Sequence, residues 1–486
     1  MITKGDDIMA CTTILVGKNA SNDGSTMIAR NDDGHFDVKK LIVMEPKNNK
    51  YKSKISHLEL ELPEKGYKYT ACPSVDTKNG IWAACGINEV NVAMTATETI
   101  TSNPRVMGAD PYVVYDKKNP GGLGEEDLVV VVLPYINSAR EGVIRLGELL
   151  EKYGTYEPNG IAFSDKDEIW WLETIGGHNW IARKVDDNEY VIMPNQFGLD
   201  KFDFNDAYGE KKENMCSGGL KDLVDKYHLS LNNDGNFNPR LAFGSNSDAD
   251  HVYNTPRAWY MAKYFNPRSY KWEGDNADYT PISDDIPWSL VPERKITAED
   301  VKYILSSYYQ GTKYNPYNKG DDPEKGIYRP IGISRTGMMA ILQLRGYMPK
   351  ELEAVEWISF GSNAFNISLP IYTNTDSIPK YLSNVTLNIS LDNLYWNNRI
   401  IQALADSNYK SSIIQIERYQ NRVFNKGHQI LNEYDAKMIN NNDYSLINEA
   451  NQKLCKMAKE ETAKVLKEVL NISSERMTNG YNRSDN

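Results

Sequence analysis

A cysteine, an arginine and an aspartate are spaced so that a β-hairpin would bring them to one edge of a sheet. Cys11 begins an apolar strand, and Asn22-Asp23-Gly24 carries the signal of a tight turn. The second strand ends with Arg30 and Asp33. Because the turn sets the register of the two antiparallel strands, the end of the second strand is expected beside Cys11. A thiol, a guanidinium and a carboxylate would then share one site.

Removal of the residues ahead of Cys11 would give this cysteine a free α-amino group. Such an amine has a pKa of about 7.7–8.0 and can act as the general base for its own thiol. Arg30 is expected to lower the pKa of the thiol by favouring the thiolate. Asp33 is expected to accept a hydrogen bond from the ammonium or from Arg30. The alternative is that Cys11 is a small buried hydrophobe, and the spacing alone favours this simpler interpretation.

Five segments of the chain carry a family resemblance. They are Cys11-Thr12-Thr13-Ile14, Asp23-Gly24-Ser25-Thr26-Met27-Ile28-Ala29-Arg30-Asn31-Asp32-Asp33, Trp171-Leu172-Glu173-Thr174, Met193-Pro194-Asn195-Gln196-Phe197 and Tyr253-Asn254-Thr255-Pro256-Arg257. In this order they resemble the dipeptidase A/secernin family of cysteine N-terminal nucleophile (Ntn) hydrolases, which are distantly related to bile salt hydrolases and penicillin V acylases. The similarity extends from Cys11 through at least Tyr372.

The resemblance implies hydrolysis of short peptides by an N-terminal cysteine in a four-layer αββα sandwich, through a thioester that water then hydrolyses. It makes Asn195 the candidate donor to the oxyanion. Thr97 is a second candidate donor, and Arg257 is similar to the family's second active-site arginine. From the sequence, Asn195 is equally well explained as the cap of a turn beside Pro194. Arg257 is equally well explained as a surface salt bridge on a helix.

Composition and charge exclude several classes of function. The chain has 486 residues and a net charge of −11, which argues against a nucleic-acid partner because phosphate binding needs clustered basic residues. The longest apolar run, residues 128–133, is too short to cross a bilayer, and residues 1–10 do not resemble a secretory signal. The five cysteines are widely spaced, which favours the reducing cytoplasm. The six histidines lack metal-ligand spacing, so neither a metal nor another cofactor is predicted.

Helical and strand-like segments alternate irregularly, which predicts an α+β fold with helices packed on sheet. A meander of four strands is expected over residues 160–164, 168–174, 178–184 and 189–193. Ser138 with Glu141 is the signature of a capping box, at the start of a helix that Gly154 would end.

The chain is expected to have three parts. Residues 1–10 are a leader removed on maturation, residues 11–390 form the Ntn hydrolase domain, and residues 391–486 form a helical C-terminal extension. An apolar stripe along the extension indicates packing in the core or between subunits. A homo-oligomer is expected if the stripe packs between subunits.

A free dipeptide carries an ammonium and a carboxylate, so its site needs an acidic subsite and a basic or amide-rich one. Asp32, Glu98 and Glu173 are the candidate partners of the ammonium, and the sequence does not choose among them.

Three functions stay open. A dipeptidase of broad specificity is favoured over an amidase of the same mechanism, acting on conjugated bile acids or acyl lactones, and over a non-catalytic protein that kept the fold. The glycine-rich residues 121–124 lack the Lys-Ser/Thr of a phosphate loop and predict a flexible loop near the site.

Overall fold

Two large antiparallel sheets form the centre of the fold in the computed structural model, which describes residues 11–34, 37–233 and 235–477. The predicted leader lies outside the described residues. The strands within these ranges are β1 (Thr12–Val16), β2 (Thr26–Asp32), β3 (Ile42–Met44), β4 (Lys50–Lys52), β5 (Glu59–Glu61), β6 (Tyr69–Ala71), β7 (Cys85–Asn88), β8 (Ala93–Thr99), β9 (Asn159–Ser164), β10 (Ile169–Ile175), β11 (Asn179–Lys184), β12 (Tyr190–Met193), β13 (Asn214–Cys216), β14 (Ser289–Leu290), β15 (Met338–Leu344), β16 (Ala354–Phe360) and β17 (Leu369–Tyr372).

Both large sheets make neighbours of strands that are distant in sequence. The first sheet has the order β14-β12-β1-β2-β15-β16-β17, and the second has the order β13-β11-β10-β9-β8-β7-β6-β3. The expected four-stranded meander is wrong in its last strand, because β12 leaves β11 and pairs with β1 in the other sheet. Antiparallel sheets mixed with helices agree with the predicted α+β class.

The hairpin of β1 and β2 has the predicted antiparallel register. Thr12 lies opposite Asn31, and Thr13 lies opposite Arg30. Gly24 in the turn has a φ of 84°, a left-handed conformation that glycine adopts without strain. The residue before β1 therefore stands beside the end of β2, which brings Cys11 to Arg30.

Helices pack against both sheets. Within the described residues they are α1 (Pro104–Ala109), α2 (Glu125–Val132), α3 (Ala139–Tyr153), α4 (Phe204–Tyr208), α5 (Leu220–Lys226), α6 (Pro239–Phe243), α7 (Asp250–Tyr253), α8 (Thr255–Phe265), α9 (Ala298–Leu305), α10 (Lys350–Glu353), α11 (Lys380–Ser383), α12 (Leu394–Ser407), α13 (Tyr409–Asn441) and α14 (Ile447–Glu475), with 3-10 turns at Leu133–Tyr135 and Tyr444–Leu446. None of the helices in these ranges is both long and apolar enough to cross a membrane.

The sheets contact each other through β2 with β8 and β9. Thr13 Oγ1 on β1 donates to Glu98 Oε2 on β8 across this contact, at 2.9 Å. Helix α3 packs on β9, β10 and β11, whereas α12 packs on β16 and both α13 and α14 pack on β17. One buried core joins both sheets to the C-terminal helices, and a second lies between α2, α3 and the second sheet.

Helix α3 begins and ends where the sequence predicts. Ser138 Oγ accepts from the backbone N–H of Glu141, and Gly154, with a φ of 71°, ends the helix. The carboxylate of Glu141 accepts from the backbone of Asn137 instead of Ser138, so only one half of the predicted capping box forms.

Helix α14 satisfies the free edge of the first sheet. Strand β17 is the last strand of that sheet. The backbone N–H of Tyr372 donates to Asn451 Oδ1 at 3.0 Å, and Asn451 Nδ2 donates back to the carbonyl of Tyr372 at 2.9 Å. At Tyr372 the buried amide of Asn451 thus takes the place of a neighbouring strand.

Candidate active site

Cys11 and Arg30 meet directly. Cys11 directly precedes β1 and is fully buried. Arg30 Nη2 donates to Cys11 Sγ at 2.7 Å, and Arg30 Nη1 donates to the carbonyl of Ala84 at 3.2 Å. The hairpin register therefore places a guanidinium on the thiol, as the sequence predicts.

Carboxylates surround the guanidinium of Arg30. Its Nη2 lies 3.3 Å from Glu125 Oε1 and 3.8 Å from Asp32 Oδ1. Burial alone would lower the pKa of Arg30, but the thiol and these carboxylates raise it above its usual value. Asp32 is paired in turn with Lys39 Nζ at 2.9 Å. Arg30 consequently stays charged in a fully buried position.

Arg30 lowers the pKa of the Cys11 thiol, as expected, but the pKa is nevertheless raised well above its usual value. Burial raises this pKa more than the charge of Arg30 lowers it, and the carboxylates of Glu98, Glu125 and Asp32 raise it further. The thiol is therefore neutral at physiological pH in this chain. A nucleophilic role for it requires a nearby group that removes its proton.

Asp33 makes different contacts from those expected. Its carboxylate accepts from Arg329 Nη2 and from Thr336 Oγ1, each at 2.5 Å. No hydrogen bond joins Arg30 to Asp33 within the described residues, and the other expected donor, the α-ammonium of Cys11, stays a prediction. Burial raises the pKa of Asp33 despite the opposing charge of Arg329. Asp33 therefore fixes the segment that carries Arg329 and Thr336 against the end of β2.

Arg257 holds the backbone of Cys11 from the other side. It lies in the first turn of α8, where Nη1 donates to the carbonyl of Cys11 and to Thr12 Oγ1. Burial, followed by the charge of Arg329, lowers the pKa of Arg257 to about 10. Arg257 is fully buried, so its alternative interpretation as a surface salt bridge is wrong.

Asn195 is joined to the same network. Its Oδ1 accepts from Arg257 Nη2 at 2.7 Å, and its Nδ2 donates to the carbonyl of Thr99 at 2.9 Å. The side chain thus reaches α8 and the end of β8 instead of capping the turn beside Pro194. The side chain of Thr97 lies outside what the structure describes.

The three candidate partners of an ammonium differ in their surroundings. Asp32 is engaged by Lys39, and Glu173 accepts from Trp171 Nε1 at 3.0 Å and from a backbone N–H. Each of the three has one buried carboxylate oxygen with no hydrogen-bond partner among the described residues. Glu98 differs from Glu173 because its charge acts on the Cys11 thiol, and from Asp32 because this action is the stronger of the two. Burial raises the pKa of Glu98 to about 8. Glu98 is therefore the candidate whose charge is felt most strongly at Cys11, and an ammonium bound beside it would favour its charged form.

Several residues of the site were missed from the sequence: Lys39, Glu125, Asn254, Arg329 and Thr336. Asn254 Oδ1 accepts from Arg257 Nη2 at 2.7 Å and had a signal, because it stands inside a segment that carries the family resemblance. Glu125 follows the glycine-rich residues 121–124, which are buried. A Cβ on Gly124 would come within 2.1 Å of the Tyr156 hydroxyl oxygen, so close packing accounts for this glycine.

A second buried cluster contains Cys72, Cys85 and Glu356. Their sulfur and carboxylate oxygen atoms lie within 4.8 Å of one another. Cys72 Sγ donates to Glu356 Oε1 at 3.5 Å, and burial raises the pKa of Glu356 to about 7. These are residue types that can bind a metal, and the absence of a metal stays a prediction.

A cavity of about 640 Å³ adjoins the network around Asn195. Pro194 and Gln196, on either side of Asn195, line it together with Thr255 and Ala258 from α8. The cavity is large enough for small organic molecules.

Comparison with known proteins identifies the family to which the chain belongs. A family model of peptidases matches residues 10–422. The chain belongs to this family, peptidase family C69, which agrees with the resemblance predicted from the sequence.

Its relatives include a dipeptidase of Bifidobacterium longum (strain NCC 2705), 52% identical over 88% of this chain and 83% of that protein. A probable dipeptidase A of Streptococcus pyogenes serotype M3 (strain SSI-1) is 50% identical over 89% of this chain and 90% of that protein. Among solved structures, penicillin V acylase from Agrobacterium tumefaciens is 15% identical and covers 74% of this chain and 86% of its own, with a TM-score of 0.33. This structural likeness is too low to support an argument.

Proposed function

We propose that this protein is a cytoplasmic dipeptidase of broad specificity that hydrolyses dipeptides through a thioester on Cys11. The observation that carries the proposal is the pair of guanidinium groups on Cys11: Arg30 on its sulfur and Arg257 on its carbonyl. Relatives named dipeptidases, at about half identity over most of the chain, support the choice of substrate.

The base in this proposal is the α-amino group that Cys11 gains when residues 1–10 are removed. Because burial leaves the thiol protonated, the attack on the peptide carbonyl needs a proton acceptor at the sulfur. The terminal amine has a suitable pKa of about 7.7–8.0. It takes the thiol proton, gives it to the leaving amine, and then activates the water that hydrolyses the thioester.

Asn195 is the proposed donor to the oxyanion. Because its Oδ1 accepts from Arg257, the amide nitrogen is fixed as the donor end of the side chain. Thr97 is the proposed second donor. Asp33 is a positioning residue through Arg329 and Thr336, and Glu98 is the proposed partner of the substrate ammonium.

We also infer the four-layer αββα arrangement of Ntn hydrolases for residues 11–390, with residues 391–486 as a helical extension. The contact of β2 with β8 and β9 supports two inner sheet layers, and the packing of α3 and of α13 and α14 supports two outer helical layers.

The N-terminal residue of the active protein tests the proposed base. Intact mass and N-terminal sequencing are expected to give a chain that begins at Cys11. The hydrolysis rate is expected to fall at acidic pH as the amine becomes protonated, about tenfold per pH unit below its pKa. An active protein that retains Ala10, or a rate that stays flat down to about pH 5, would exclude the amine as base.

A substrate panel tests the class of substrate. Free dipeptides are expected to be hydrolysed faster than dipeptides with blocked amino termini and faster than N-acyl amides. Equal or faster cleavage of the N-acyl amides would favour the amidase interpretation instead.

A further inference from the structure

Arg335 differs from Arg30 and Arg329 in what it contacts. Its Nη2 donates to the hydroxyl of Tyr253 at 2.8 Å. Within the described ranges, Arg335 has no carboxylate inside ion-pair distance, whereas Arg30 and Arg329 are both paired with carboxylates. The side chain is only partly buried. A partly accessible guanidinium with one neutral partner has donors left for an anion.

Tyr253 connects Arg335 to the nucleophile. The guanidinium carbons of Arg257 and Arg329 lie 5.3 Å and 5.1 Å from the centre of the Tyr253 ring. Arg257 itself donates to the carbonyl of Cys11. The Tyr253 ring and hydroxyl thus lie among three guanidinium groups, one of which contacts the cysteine.

The loop that carries Arg335 is fixed on both of its flanks. Thr336 Oγ1 donates to Asp33, and the backbone N–H of Gly337 donates to the carbonyl of Asp32 at 2.8 Å. On the other flank, the carbonyl of Ser334 accepts from Gln402 Nε2 on α12 at 3.1 Å. The position of Arg335 relative to the end of β2 is therefore set by the fold.

The surrounding charge favours an anion. The charge of Arg329 contributes to lowering the pKa of Arg257 to about 10, second to burial, which shows that positive charge is crowded here. A bound carboxylate would relieve this repulsion. Arg also binds carboxylates through two parallel hydrogen bonds, which fixes their orientation.

We propose that Arg335, supported by the hydroxyl of Tyr253, binds the free α-carboxylate of the C-terminal residue of the substrate. The inference rests on the proposed dipeptidase function and adds the group that recognises one end of the dipeptide. In a dipeptide the carboxylate belongs to the leaving residue, whose Cα lies about 3.8 Å from the preceding one. A cation that reaches this carboxylate while Cys11 attacks the carbonyl would therefore select substrates that end one residue beyond the scissile bond.

The test compares leucyl-alanine with leucyl-alaninamide, which differ only in the terminal carboxylate. Arg335→Met is expected to lower kcat/KM for the free acid by about 30- to 100-fold, mainly through KM, because it removes one partner of a charged pair. The amide is expected to be cleaved at the wild-type rate. Arg335→Lys is expected to restore part of the preference because it restores the charge. Arg418→Met is the matched control, because Arg418 is an exposed arginine on α13.

Equal losses on both substrates would show that Arg335 only supports the structure, and unchanged kinetics on both would show that it does not contact the carboxylate. Either result overturns the inference. Cys11→Ala separates these outcomes from a failure of the proposed function. If Cys11→Ala still cleaves both substrates, the nucleophile is wrong, whereas the acid-to-amide ratio of Arg335→Met still reports on carboxylate recognition.

Discussion

Two cysteines of this protein are equally buried and yet have opposite neighbours. Cys11 and Cys72 are both fully inaccessible to solvent. The sulfur of Cys11 accepts from the guanidinium of Arg30 at 2.7 Å, whereas the sulfur of Cys72 donates to the carboxyl of Glu356 at 3.5 Å. Burial raises the pKa of both thiols. The difference between the two sites is therefore in the charge of the neighbour and not in the burial of the sulfur.

Under the proposed mechanism, the charge of the neighbour separates the nucleophilic thiol of Cys11 from the packed thiol of Cys72. At Cys72 the proton has a local acceptor, and the cluster can stay neutral because burial also raises the pKa of Glu356 to about 7. At Cys11 a permanent cation is held against the sulfur, so the thiolate is the state that the surroundings stabilise once a base has removed the proton. In the proposed mechanism the cation prepares Cys11 for attack, whereas the carboxyl beside Cys72 does not stabilise a thiolate.

The largest expected effect comes from exchanging each cysteine for alanine. Cys11→Ala is expected to abolish hydrolysis, by roughly 10⁶-fold in kcat, as in other hydrolases that lose their nucleophile. Cys72→Ala is expected to leave kcat/KM unchanged and to lower the free energy of unfolding by about 1–2 kcal/mol, because it leaves a small cavity beside Glu356. Steady-state kinetics and thermal unfolding measure the two effects.

This pair of variants tests whether the two thiols differ in function. Substantial dipeptidase activity in a folded Cys11→Ala protein would remove the distinction between the two thiols. So would a Cys72→Ala protein that keeps its melting temperature and loses its activity.

An intermediate effect is expected at Asn195. Asn195→Ala removes the proposed oxyanion donor and is expected to lower kcat by about 10²–10³-fold. KM is expected to change little, because the donor acts on the charge that develops in the transition state. Initial rates over a range of dipeptide concentrations separate the two parameters. A loss found only in KM would assign Asn195 to substrate binding, and the melting temperature controls for loss of the Arg257 contact.

The smallest expected effect is the pH dependence of stability at Glu356. Its pKa is about 7 in the folded protein and near 4.3 when unfolded, so the folded state retains the proton over that interval. This contribution to stability is unchanged below about pH 4 and falls as the pH rises towards 7. Glu356→Gln is expected to be more stable than wild type by up to about 4 kcal/mol at pH 8 and equal to it at pH 4.

Unfolding of the two proteins at both pH values measures this effect. A stability difference that does not change with pH would mean that Glu356 is not the group that titrates, and that the Cys72 cluster is not the neutral counterpart of the Cys11 site.

The local part of the site could be predicted from the sequence, and the distant part could not. The turn between β1 and β2 fixes a register, and the register places Arg30 on Cys11. The partner of Asp33 is Arg329, almost 300 residues further along the chain. No periodicity or spacing connects two residues at that separation, because the contact depends on how β15 pairs with β2. The burial of Cys11 also depends on distant parts of the chain, so the sequence predicted that Arg30 lowers the pKa of the thiol but not that burial outweighs this effect.

For the fold too, features set by local sequence could be predicted and features set by distant contacts could not. Capping and hydrophobic spacing located α3, since both signals are local in sequence. The transfer of β12 to the other sheet was not predictable, because a strand of four apolar residues suits either sheet equally well.

The amide of Asn451, which closes the edge of β17, has a consequence for the order of events during synthesis. An unpaired edge strand is a template for strands of other chains, and hence for aggregation. Because β17 ends at Tyr372 and its edge is completed by Asn451, the ribosome must translate most of the remaining chain before the sheet is protected. The nascent protein therefore passes through a period in which β1, β2 and β17 are made but this edge of the sheet is still open to other chains.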